Sequence, residues 1–158
     1  MYIFGSSSEK SLVGIRNELV DVNRRALSYG LMDFTVYSGL RSTEEQAAYF
    51  AQGRQPLDIV NDLRLSAGLG FITLEENSKP VTWTMESNHL AQDDGLGHAY
   101  DAAPFYDGKI QWKDIEAFNF MATLHLRAAM ELGVMLEWGG HFSSRKRDRP
   151  HFQLKKGI

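Results

Sequence analysis

Two stretches of helical period, one near each end of the chain, constrain the fold more than any other feature. Leu12, Ile15, Leu19, Val22 and Ala26 recur at three- and four-residue spacing, and Ile115, Phe118, Ala122 and Ala129 do the same further on. The spacing predicts amphipathic helices over about 9–28 and 114–131, each with an apolar face that must be covered. Ser6 and Glu9 stand as a capping box ahead of the first, and Gly30 and Gly133 as stops. What covers them is short and extended: 33–40, 98–105, 109–112, 134–138 and 151–154 read as strands, with Asp107-Gly108 as a hairpin turn. Ser42 or Thr43 caps a third helix running to Gly53. Pro56, Gly68, Gly70, Asn77 and Pro80 interrupt 54–86, which reads as an elaborated loop insertion with a short helix near 57–67 and a strand at 81–85. Helices and strands without regular βαβ alternation predict an α+β fold, a small antiparallel sheet packed with two to three helices.

With 158 residues the whole chain, 1–158, is expected to form a single domain. A 43% hydrophobic composition can fill its core without cross-links. There is no cysteine, which excludes disulfides, thiolate nucleophiles and Cys-based zinc sites, so any metal must be held by His, Asp or Glu. A net charge of −3 argues against a nucleic-acid binder that works through a basic surface. No apolar run reaches the roughly 18 residues of a membrane span. The N-terminus has neither a basic nor an apolar signal region, so no signal peptide is expected, and a product made in the cytoplasm would act elsewhere only after release.

The histidines lie after residue 85, interleaved with acids: His89, Asp93, Asp94, His98 and Asp101 in one segment, Asp148 and His151 in another. A catalytic zinc takes three protein ligands, leaves one position open, and needs a nearby carboxylate as base. In an extended 98–103, Ala99, Asp101 and Ala103 face one way and His98, Tyr100 and Ala102 the other, so His98 and Asp101 do not share a metal without a bulge. Pro150 biases Arg149 toward extended backbone, which puts Asp148 at the entrance of the strand carrying His151, a position suited to a base.

Ser87-x-His89, Gly97-x-Ala99-x-Asp101 and Asp148-x-x-His151 together resemble the motif set of the VanY-type zinc peptidases. That family comprises D-alanyl-D-alanine carboxypeptidases and dipeptidases, and the L-alanyl-D-glutamate endopeptidases that serve as phage endolysins. Phe4-Gly5, Asp33-Phe-Thr-Val with Gly39-Leu-Arg41, and 103–118 are similar to the phage branch. The resemblance covers about 5–53 and 87–154. It implies a fold of the Hedgehog/DD-peptidase type, zinc held by His89, Asp101 and His151, Asp148 as general base, and Arg41 binding or polarising the substrate. It further implies a peptidoglycan stem peptide as substrate, cleaved at the L-alanyl-D-glutamate bond by a monomeric lysin. Such an enzyme stays in the host cytoplasm until release to the cell wall. A D-alanyl-D-alanine carboxypeptidase and a non-catalytic wall-binding module are the alternatives.

In two places the chain departs from the pattern. His89 and Asp101 are twelve positions apart where the compact motif has seven; an ungapped alignment would put Asp94 in the histidine's place. Ala91 to Gly95 reads as a loop insertion, tolerated because ligands need proximity only in space. His141 follows Gly139-Gly140 where the family often has an acid, and reads as a loop or cleft-lining residue. His125, on the apolar stripe of the last helix, reads as a core-edge histidine, and Arg145, Lys146, Arg147, Arg149, Lys155 and Lys156 as a basic patch that could attract substrate carboxylates.

Overall fold

The computed structural model describes residues 1–155. Its elements are α1 (Ser6–Ser11), α2 (Asn17–Ser28), β1 (Phe34–Ser38), α3 (Thr43–Ala51), α4 (Leu57–Ser66), α5 (Leu74–Asn77), β2 (Ala99–Tyr106), β3 (Lys109–Ile110), α6 (Ile115–Leu132), β4 (Leu136–Trp138) and β5 (His151–Leu154). The strands form one antiparallel sheet in the order β1-β2-β5-β4, with β3 paired to the end of β2. The expected α+β architecture is what the chain adopts.

Period two sorts the sheet into faces. Phe34 and Val36 of β1, Tyr100 and Ala102 of β2 and Phe152 of β5 join Leu19, Val22 and Ala26 of α2 and Phe118, Met121 and Ala122 of α6 in one buried cluster. The register pairs Tyr100 with Phe152 and Asp101 with His151, so the alternate positions carry polar groups to the other face. α1 covers the outer edge of β1, where Ser8 Oγ accepts the N–H of Val36 at 3.1 Å.

Three expectations are corrected. The helix expected over 9–28 is broken into α1 and α2 because Gly14 turns the chain at φ +81°, a left-handed conformation that Gly adopts cheaply; Leu12 and Ile15 stay buried on either side. Ser6 and Glu9 form no capping box: Gly5 is the N-cap of α1 and no side chain caps it. The segment 54–86 contains α4 and α5 but no strand at 81–85, whose residues run as irregular chain along the mouth of a cleft. By contrast, the Ser42–Glu45 capping box of α3 forms as the residues suggest, with Glu45 N–H donating to Ser42 Oγ and Ser42 N–H to Glu45 Oε2.

Candidate metal centre and its cleft

The polar face of β2 and β5 floors a cleft of about 1160 Å³, larger than a typical small-ligand pocket and roomy enough for several residues of peptide. Asp101 and His151 sit directly opposite each other on these two central strands. His89 arrives from the preceding loop, tied down by Arg41 N–H donating to the His89 carbonyl at 2.9 Å. The three side chains converge. His89 Nε2 lies 3.2 Å from His151 Nδ1 and 3.3 Å from Asp101 Oδ1, and His151 Nδ1 lies 3.1 Å from the same oxygen.

The tautomers explain what such a triangle can hold. His89 Nδ1–H donates to the Gly39 carbonyl at 2.7 Å, and His151 Nε2–H donates to Gln153 Oε1 at 2.9 Å. Gln153 is itself oriented by Asn88, which donates to its oxygen, and by Glu137, which accepts from its nitrogen, both at 2.7 Å. In the neutral rings the inward-facing nitrogens are therefore bare lone pairs, aimed with a carboxylate oxygen at one point. Three acceptors repel one another unless a cation lies between them. Tetrahedral ligands about 2.0–2.1 Å from a zinc ion are themselves roughly 3.3 Å apart, close to the separations seen. The donor set thus fits a metal, with two imidazoles and one carboxylate.

Gly39 makes this geometry accessible. A Cβ there would lie 1.9 Å from the Ser11 carbonyl oxygen, so only glycine lets the loop pass against α1 and offer its own carbonyl to His89.

Asp101 divides its oxygens, Oδ1 facing the histidines and Oδ2 accepting from Arg41 Nη2 at 2.7 Å. Burial opposes its charge, but His89, His151 and Arg41 outweigh that and hold its carboxyl well below the usual range. For His151, burial disfavours the proton and the Asp101 carboxylate more than restores it, leaving the imidazole raised. Arg41 also reaches Ser38 Oγ and Gln46 Oε1, at 3.3 and 3.4 Å. One Nη1 hydrogen remains without a bond among the described residues.

Asp148 stands on the same cleft wall, with its outer side open to solvent and outside the three-ligand cluster. The cleft walls desolvate its carboxyl and Asp101 repels its charge, and both push it above the ordinary range. The other candidates lie elsewhere. Asp94 accepts from Arg16 at 2.8 Å and lies 2.9 Å from His98 Nε2 in a surface network; Asp93 and His141 are exposed, His141 with its ring edge-on to Trp138. His125 is fully buried against Phe34, Tyr100 and Phe152, within the core rather than at its edge. Lys146 and Arg147 of the basic patch line the cleft, while Lys156 lies outside the described residues.

Sequence reasoning missed three contributors. Gln153 and Glu137 carry no motif, and only the β4-β5 pairing shows that they share a face with His151. Tyr37 is the extra residue of a bulge in β1: Val36 pairs with Ala102 and Ser38 with Asp101, leaving Tyr37 unpaired and aimed into the cleft, where its ring meets Trp112 edge-on. Desolvation, followed by the charges of Asp101 and Asp148, pushes its phenol above the ordinary range.

The model of the phage L-alanyl-D-glutamate peptidase family matches residues 1–68 and 73–155. The chain belongs to this family. The match runs through most of 54–86, leaving out only 69–72 in that stretch. Among individual members, the L-alanyl-D-glutamate peptidase of Escherichia phage T5 is 30% identical over 154 residues, spanning 98% of this chain and 90% of the relative. The crystal structure of the Serratia marcescens L-Ala D-Glu endopeptidase ChiX superposes with a TM-score of 0.66 at 30% identity, over 96% of this chain and 89% of the other. The ChiX endopeptidase shares with the present chain a helix-and-antiparallel-sheet fold.

Proposed function

We propose that this chain is a zinc endopeptidase that hydrolyses the L-alanyl-D-glutamate bond of peptidoglycan stem peptides, acting as a phage or prophage endolysin. The observation that carries the reading is the convergence of the His89, His151 and Asp101 lone pairs at one point of an open cleft, in a chain of the phage L-alanyl-D-glutamate peptidase family. Bound by these three residues, zinc supplies Lewis acidity that polarises the scissile carbonyl and acidifies water.

The chain's own residues do the rest. Gly39 and Gln153 hold the two imidazoles in the tautomers that present a lone pair, and Arg41 keeps Asp101 charged and oriented. Asp148, beside the ligands but not among them, takes the proton of the attacking water and returns it to the nitrogen of the leaving amine. Tyr37 donates to the carbonyl oxygen as charge builds on it. The remaining Nη1 hydrogen of Arg41 is available to a substrate oxygen, and Lys146 and Arg147 give the cleft mouth a positive rim. The site of action is the cell wall. No helix among the described residues is long and apolar enough to cross a membrane.

His151→Ala tests the assignment. It should lose zinc by elemental analysis and lower the release of amino groups from purified peptidoglycan by about 1000-fold or more, with an unchanged circular dichroism spectrum. Release at the wild-type rate would overturn it.

A further inference from the structure

α4 and α5 contribute to the wall of the cleft farther from the metal ligands, and one cation on that wall is only partly engaged by its neighbours among the described residues. Arg64, on the last turn of α4, is half-buried and its Nε–H is spent on the Gly70 carbonyl at 2.6 Å. Its two Nη groups make no hydrogen bond among the described residues. The guanidinium carbon lies 5.9 Å from the centre of the Tyr49 ring, and that of Arg41 lies 5.1 Å from the same centre. A single aromatic ring thus connects the arginine that holds Asp101 to the arginine of the far wall, and all three side chains line the cleft.

The Thr73 cap and then the Arg64 charge hold the Glu76 carboxyl below its ordinary range, yet no hydrogen bond or ion pair joins Arg64 to Glu76 or Glu45 among the described residues. Glu45 Oε2 accepts from Ser42 N–H and Glu76 Oε2 from Thr73 N–H, each closing a capping box at a helix start. A guanidinium fixed at Nε, steadied by an aromatic ring and left with its terminal N–H groups free, is a preformed receptor for a planar anion. Arg41, bonded to Asp101, Ser38 and Gln46, has too few free hydrogens to serve as one.

We propose that Arg64 binds a free carboxylate of the substrate peptide on the leaving side of the scissile bond, which makes the α4–α5 wall a specificity determinant. The inference rests on the endopeptidase reading above. A stem peptide offers such a group on the D-glutamyl residue and again at its C-terminus. The shared chemistry is one peptide carboxylate.

The test uses three synthetic tetrapeptides containing the L-alanyl-D-glutamyl bond: one with all acids free, one amidated at the D-glutamyl carboxylate and one amidated at the C-terminus. Wild-type zinc-loaded enzyme should show a KM about 10- to 100-fold higher for one of the amides, and that peptide identifies the carboxylate bound. Arg64→Gln should raise KM for the all-acid peptide by the same factor, leave kcat within about threefold, and no longer discriminate acid from amide. Arg64→Lys should restore part of the discrimination, a rescue that a merely structural arginine would not show. Equal KM for the three peptides with the wild type, or undiminished discrimination by Arg64→Gln, overturns the inference and leaves the endopeptidase reading standing. Failure of the wild type to cut that bond in any peptide overturns both.

Discussion

The tautomers of His89 and His151 are set by partners outside the His89–Asp101–His151 triangle, and this dependence can be measured. Gln153→Leu removes the acceptor of His151 Nε2–H and the link to Glu137, freeing the ring to turn or switch tautomer. Zinc affinity should fall by about 10- to 100-fold, read by competition with a chromogenic chelator; an unchanged affinity would mean that Gln153 only fills space. Tyr37→Phe leaves the ring against Trp112 and removes only the donor. It should lower kcat by about 100-fold with little change in KM, and a variant with wild-type kcat would remove Tyr37 from the chemistry. At this scale the sequence was most legible where a motif names a residue: His89, Asp101, Asp148 and His151 were singled out from it, and the structure brings all four to one cleft. It was silent on Tyr37 and Gln153, because a bulge and a cross-strand pairing place them and neither leaves a mark in local spacing. The rivalry between His89 and Asp94 could not be decided by counting positions. In the structure Asp94 is held at the surface by Arg16, a partner 78 residues away.

Among the elements, α6 and α3 were readable because their apolar period and their caps agree: Asp114 accepts from Ala117 N–H, and Ser42 from Glu45 N–H. The first helix misled because the apolar period carries on through Gly14, where the chain turns at φ +81° and a Cβ would lie 2.8 Å from Leu40 Cδ2. The run 81–85 looks like a strand from its β-branched content alone, yet no strand pairs with it, and propensity without a pairing partner does not make one. The cap of α3 carries a simple test. Ser42→Ala should cost about 1 kcal/mol, lowering Tm by about 3 °C in a calorimetric scan. A Tm equal to wild type would show that α3 is held by its tertiary contacts alone.

Across the whole molecule, the sheet keeps two chemistries apart: the candidate metal site of His89, Asp101 and His151 on one face, and on the other a core in which His125 is buried among aromatic rings with Asn23 beside it. Burial lowers the His125 pKa to about 4 from an ordinary 6.5. A folded-state pKa below the unfolded one means that the unfolded chain takes up the proton first as pH falls. The stability contributed by the neutral imidazole is complete above about pH 6.5 and is lost progressively toward pH 4, by up to about 3 kcal/mol. Urea unfolding between pH 7.5 and 4.5 should show this slope in the wild type and a shallower one in His125→Leu, since the other titrating groups are common to both; equal slopes would contradict it. The central claim concerns which bond the cleft opens, and mass spectrometry of purified peptidoglycan digested by the zinc-loaded protein tests it most directly. The endopeptidase account predicts glycan fragments that keep only L-alanine, together with released peptides that begin at D-glutamate. Free D-alanine with intact glycan-to-peptide links, or no cleavage at all, would contradict it.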